Sequence, residues 1–249
     1  MWMRVISRHL WELGIFLQAL LTITLLVKRS SRKFPFFAAY SFFCFVKSSV
    51  MYVLVFYKRQ SISLEHWMQG YWIAEVVGII LGFGVIYEVF RKLLNSYSAL
   101  HALANAVFKW AFVVLTVLGF VVLYVQLSPG HAPDAGAMYL VEEAVRTTEV
   151  GLLLFLFLFA GAFGLHWRQS IFGIALGFGL FISIELMALT LRSYLPESFN
   201  IVRSIAFNTS LLLWLGYLLI PESATQDRDM PKLAQLEQWN QALMELIHQ

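Results

Sequence analysis

Seven stretches, each roughly twenty residues long and predominantly apolar, leave this chain very few folds to adopt. They run at about 9–27, 34–57, 67–90, 107–127, 140–165, 169–191 and 200–220. A helix needs about 20 apolar residues to cross a hydrocarbon core, and it pairs its own backbone polar groups while doing so. The breakers fall between the stretches. Pro35 opens the second, Ser128-Pro129-Gly130 closes the fourth, Pro196 separates the last two, and Pro221 follows the seventh. Of 249 residues, 59% are hydrophobic and 13% charged, where a soluble domain carries about 25% charge. Twenty-two Phe and eight Trp suit lipid-facing and interfacial surface. The expected fold is an all-α integral membrane protein, a seven-transmembrane-helix bundle over residues 1–221.

Lys and Arg in the short connections set the orientation. Lys28, Arg29, Arg32, Lys33, Arg91, Lys92, Lys109, Arg168, Arg228 and Lys232 belong to one side, and Arg4, Arg8, Lys58, Arg59 and Arg192 to the other. The richer side is expected to be cytoplasmic, which puts the N-terminus outside and the C-terminus inside. The start, MWMRVISRHLWELGIF, has no small-residue cleavage site and reads as part of a retained helix. Residues 222–249 change character. After a polar linker, Asp229 and Pro231 suit a helix start. Leu233, Leu236, Trp239, Leu243, Leu246 and Ile247 then form an apolar stripe. This short amphipathic helix suits folding back on the bundle, self-association or docking on a signalling partner through Leu236, Trp239, Leu243 and Leu246. Its acidic balance is a poor match for an anionic membrane surface.

The ionisable residues inside the spans are unevenly placed. At about 1.5 Å per residue, Lys47 lies near the midplane, with Glu75 and Asn208 somewhat outward and Glu149 and Glu185 further out. Glu12, Arg146 and Arg203 come higher still, and Glu142 and Glu143 approach the interface, where solvation is expected for Glu12, Glu142 and Glu143. In the fifth span, Glu142, Arg146 and Glu149 stand at i, i+4 and i+7, so one helix face carries all three. Charges beside lipid are costly, so that face has to look into the bundle. The inner half holds almost no charge until Glu88, which can pair with Arg91 and Lys92 at i+3 and i+4. Two readings stand side by side. Lys47, Glu75, Arg146, Glu149, Glu185, Arg203 and Asn208 line a polar ligand pocket open to the outside, or they form closed ion pairs that hold helices in register. Acids outnumber bases, which makes one of these carboxyls a candidate proton-titrating group.

Gly78-Ile-Ile-Leu-Gly82-Phe-Gly84 in the third span matches Gly173-Ile-Ala-Leu-Gly177-Phe-Gly179 in the sixth. Each holds a GxxxG pair that permits close helix approach. Coincident packing motifs are the expected account, with an inverted three-helix repeat as the alternative. Cys44 stands alone, which excludes an intramolecular disulfide. All six His residues sit at span ends, in connections or in the tail, so a bis-His haem is not expected. There is no HExxH or GxSxG, and the seventh span has no Lys for a retinal Schiff base. No catalytic residue, metal, cofactor or nucleic-acid partner is expected.

The stretches FPFFAAYSFF (34–43), YWIAEVVGIILGFGVIYEVF (71–90), GLLLFLFLF (151–159), FGIALGFGLF (172–181) and LEQWNQALMEL (236–246) resemble a group of small bacterial seven-helix membrane proteins. The resemblance covers nearly the full length and implies a fold but no activity. More loosely, the layout is similar to the seven-helix sensory modules of bacterial histidine kinases, where the last helix runs into a cytoplasmic signalling helix. With Gln249 as the last residue and no kinase following, a sensory role would call on a separate partner. The leading expectation is a non-enzymatic sensor or receptor-like protein of the bacterial cytoplasmic (inner) membrane. It would take a small-molecule or proton ligand in the outer half and signal through helix movement. A small secondary transporter, proton-coupled through carboxylates such as Glu75 and Glu185, and a structural subunit are the alternatives. A reporter fused after Gln249 should be active in the cytoplasm; an external C-terminus would invert every depth assigned above.

Overall fold

The computed structural model describes residues 2–57, 64–94, 135–162, 169–191 and 199–220, together with 106, 109, 110 and 113. Seven helices make up these segments: α1 (Trp2–Val27), α2 (Ser30–Lys33), α3 (Pro35–Tyr57), α4 (Leu64–Leu94), α5 (Ala135–Ala162), α6 (Gln169–Thr190) and α7 (Phe199–Leu219). Six of them, all but α2, are long and apolar enough to cross a membrane. They correspond to six of the seven expected spans. The helix α1 extends seven residues before the expected first span, and the short α2 follows Arg29, which has φ 53°. The expected fourth span, 107–127, apart from Lys109, Trp110 and Val113, lies outside the described residues, as do the tail 222–249 and its stripe. Residues Met1–Leu219 form one compact unit and Ile220–Gln249 a second, of which only Ile220 is described.

The surface of these helices is inverted relative to a water-soluble fold. Phe16, Ile73 and Leu158 are 65–66% exposed, whereas Glu149 and Glu185 are 0% and 2% exposed. Apolar side chains outside and charges inside are what a hydrocarbon surround selects, and the described helices accordingly belong to a multi-pass membrane protein.

The six long helices close into a ring. α1 packs on α3, α3 on α4, α4 on α5, α5 on α6, α6 on α7, and α7 back on α1, with α4 also touching α6 across the ring. Pairs of contacting residues give the directions. Phe37 and Lys47 of α3 meet Glu88 and Glu75 of α4, so these helices are antiparallel. Gly82 and Phe90 of α4 meet Glu149 and Phe155 of α5, so these two are parallel. Leu10 and Lys28 meet Asn208 and Leu218, making α1 and α7 parallel as well.

One end of the ring, where α1 finishes and α3 begins, is packed with large apolar side chains. Phe37, Phe90, Phe178 and Trp214 are fully buried there, with Leu21, Leu25, Ile86 and Leu156. The Phe37 and Trp214 rings meet edge-on at 5.1 Å, and Trp214 Nε1 donates to the Ile174 carbonyl at 3.2 Å, which satisfies its one donor. Within lipid, helix association rests on close contact rather than on exclusion of water. The glycines provide that contact. A methyl group at Gly177 would come within 2.5 Å of the Trp214 indole nitrogen, and one at Gly173 would overlap Tyr217. The GxxxG pair of α6 therefore seats aromatic side chains.

Lys28 and Glu88 secure helix ends. The first N–H groups of α3 have no partner within the helix, and Glu88 Oε2 accepts the Phe37 N–H at 3.1 Å. Glu88 thus caps a neighbouring helix rather than forming the expected pair with Arg91 or Lys92; no such ion pair occurs among the described residues. The Lys92 ammonium instead sits 4.6 Å from the Phe34 ring centroid. At the same end, Lys28 Nζ donates to the Leu218 carbonyl at 2.8 Å, placing a cation on the C-terminus of α7. Glu88→Ala should destabilise the protein by about 1–3 kcal/mol, because the Phe37 N–H loses its acceptor. Glu88→Gln should retain most of that stability, as read from thermal unfolding in detergent.

Candidate functional site

The opposite end of the ring holds the charges. Along α6, Glu185 stands seven residues beyond Phe178, about 10 Å further along the helix. Lys47 follows Phe37 by ten residues of α3, about 15 Å. Five helices contribute: Lys47 from α3, Glu75 from α4, Glu142, Arg146 and Glu149 from α5, Glu185 from α6 and Arg203 from α7. The expected face of α5 is real, since all three of its charged residues are buried. Glu75, Glu149 and Glu185 all point into the bundle rather than at lipid.

Lys47 Nζ donates to Glu75 Oε1 at 2.7 Å, with the Tyr71 ring 5.8 Å from the ammonium. Arg146 is the hub of the remainder. Its Nη1 donates to Glu149 Oε2 at 2.9 Å, and its Nη2 lies 3.2 Å from Glu185 Oε2. The other oxygen of Glu185 accepts from Arg203, whose Nη2 is 3.8 Å from Glu142 Oε1. A chain of alternating charges, Glu149, Arg146, Glu185, Arg203 and Glu142, therefore ties α5, α6 and α7 together. Buried charges persist only when paired in this way, because each would otherwise cost several kcal/mol of lost solvation.

Gly82 makes room for part of the chain. A methyl group there would sit 2.8 Å from Glu149 Oε1 and 3.3 Å from the Phe178 ring. The α4 backbone thus lies directly against the carboxylate at the point where charged and apolar layers meet.

Two expectations need correction. Glu142, read as solvated at the interface, is 2% exposed and joins the network beside Arg203. Its place four residues before Arg146, on the face already noted, was the signal for this. Asn208, read as part of the pocket, turns to α1 instead. Its Nδ2 donates to the Leu10 carbonyl at 3.0 Å and its Oδ1 lies against Gly14. A further buried polar contact had no charge to betray it in the sequence. Gln18 of α1, fully buried, donates to the Ser41 carbonyl at 2.7 Å and to its hydroxyl at 3.2 Å.

Glu12 and Glu143 are more open, as expected of interfacial acids. Glu12 accepts from Arg8 at 3.0 Å and from the Tyr52 hydroxyl at 2.5 Å, within a patch completed by Trp11 and Phe56. Glu143 accepts from the Thr190 hydroxyl at 3.3 Å.

No protein-family model, curated protein or solved structure matches the chain.

What the arrangement can do follows from its parts. It can hold helices together through charge, and it can change the way they are held when charge is added or removed. Gly82→Leu should displace the Glu149 carboxylate from Arg146 and cost about 1–3 kcal/mol by overpacking. Gly151→Leu, where nothing lies within 4 Å, is the matched control and should be nearly neutral. Thermal unfolding of both variants in detergent checks the contrast.

Proposed function

We propose that this chain is a non-enzymatic sensor or receptor-like protein of a bacterial cytoplasmic membrane. In this reading it spans the membrane seven times, with the N-terminus outside, the C-terminus inside and the charged network in the outer half. The parallel packing of α4 and α5 supports an odd number of spans, since a chain leaving one helix and entering a parallel neighbour has to return across the bundle. The apolar stretch 107–127 is of the right length for that return.

The observation that carries the functional reading is the separation of a connected charge network from a densely packed apolar layer beneath it. A change of charge in the network alters the forces between α5, α6 and α7 directly. The apolar layer, with Phe37 and Phe178 against Trp214 and Phe90 buried in the same cluster, favours transmission of that change as helix displacement over passage of a solute. Lys28, clamped on the end of α7, stands at the exit where such a displacement would reach the tail or a partner. A structural role is the second reading, and the pairing of Lys47 with Glu75 and of Arg146 with two carboxylates favours it.

The two readings separate on energetics. Replacing a buried ionic set by uncharged groups of similar size is often neutral or stabilising. For a sensor, Arg203→Gln combined with Glu185→Gln and Glu142→Gln, which leaves Arg146 matched by Glu149, should melt at or above the midpoint of the parent. The same variant should change the spectrum of a spin label placed at Ile220→Cys, in a Cys44→Ser background. A lowered midpoint with an unchanged label spectrum would reduce the charges to fasteners between helices.

A further inference from the structure

Among the described residues the network is one positive charge short. Its carboxylates are Glu75, Glu142, Glu149 and Glu185, and its cations are Lys47, Arg146 and Arg203. Lys47 is matched by Glu75, and Arg146 by Glu149 and Glu185. Arg203 contacts Glu185 closely and reaches Glu142 only at 3.8 Å. Glu142 is therefore the carboxylate least served by the cations present. It is 98% buried by its 2% exposure, and neither of its oxygens has a hydrogen bond among the described residues. Glu149 Oε1, fully buried against Gly82, also lacks a hydrogen bond, so the deficit extends through the chain of charges rather than ending at one residue.

Resting on the sensor reading above, we infer that the network binds one added positive charge, with Glu142 as its receiving group. The groups that face Glu142 frame this site from each neighbouring helix. Tyr71 and Glu75 come from α4, Arg146 from its own helix, Glu185 from α6 and Arg203 from α7; Lys47 of α3 stands behind Glu75. An uncompensated charge in a low-dielectric interior is costly, so an added cation is held by the whole network and not by one contact. Arg203 is the more open member of that contact, its side chain 24% exposed where that of Glu142 is 2%.

Two sources supply the same chemistry. A proton added to a Glu142 oxygen makes a neutral acid that can donate a hydrogen bond to a neighbouring carboxylate. A monovalent metal ion at the same oxygens cancels the charge without that donor. Either one removes the attraction between Glu142 and Arg203, which loosens α5 from α7 while the contact of Arg203 with Glu185 remains. The ligand of the proposed sensor is then a single positive charge.

The test uses the full chain in lipid nanodiscs. Infrared spectra are recorded from mildly acidic to mildly alkaline buffer, with choline chloride or sodium chloride as the salt, and thermal midpoints are measured in parallel. A carboxylic-acid band that titrates in the parent and is lost in Glu142→Gln identifies the proton. A sodium-dependent rise in midpoint, present in the parent and lost in Glu142→Gln, identifies the metal ion. The absence of both responses in the parent, or their persistence undiminished in Glu142→Gln, overturns the inference. Should Glu142→Gln fail to fold, Glu142→Asp replaces it: a moved titration or sodium midpoint supports the site, and an unmoved one overturns it. A titrating Glu142 with no change in the label at Ile220 would keep this inference and defeat the sensor reading.

Discussion

A charge buried among lipid-facing helices has to find an opposite charge, and most of this structure follows from that requirement. Arg146 is only 6% exposed. It is held by Glu149 one turn away and by Glu185 on the facing helix. Glu185 in turn fixes Arg203, and Arg203 reaches back to Glu142. The relative rotation of α5, α6 and α7 is set by these contacts, since turning any one of the three helices would expose a charge to lipid.

The apolar layer has a complementary role. Aromatic packing around Trp214 makes the helices approach closely, and the glycines of α6 give the indole and Tyr217 their space. Gly82 belongs to both layers, being in reach of Glu149 and of Phe178. A rearrangement among the charges is therefore felt at once by the apolar packing. Such coupling is what a device that converts charge into helix position needs, and a bundle held only by apolar contact would have no equivalent.

The helices were largely legible in the sequence because lipid imposes one length and one polarity on them. The buried face of α5 was legible for the same reason: Glu142, Arg146 and Glu149 recur at helical spacing in a segment with nowhere else to put them. Depth along the axis was a poorer guide than facing direction. Glu142 looked interfacial by depth and proved buried by direction, and Asn208 had the right depth and the wrong face. Partners were not legible at all. That Glu88 reaches the first turn of α3, and not its own neighbours Arg91 and Lys92, depends on how α4 crosses α3, which no local spacing encodes. The uncharged pairing of Gln18 with Ser41 escaped notice because amides and hydroxyls do not disturb an apolar run.

The account stands on the claim that these charges are buried and matched across helices, and the Lys47–Glu75 pair offers its cleanest test because each residue's ion pair is with the other alone among the described residues. The measurement is a double-mutant cycle of unfolding free energy in detergent, with Lys47→Met, Glu75→Gln and their combination. Lys47→Met should cost about 3–5 kcal/mol by stranding the buried Glu75 carboxylate. Glu75→Gln should cost less because the Lys47 side chain is 21% exposed, and the double variant should recover most of the loss through a large coupling energy. Single costs that are small and simply add would contradict a buried, matched pair and with it the organisation described for the whole network.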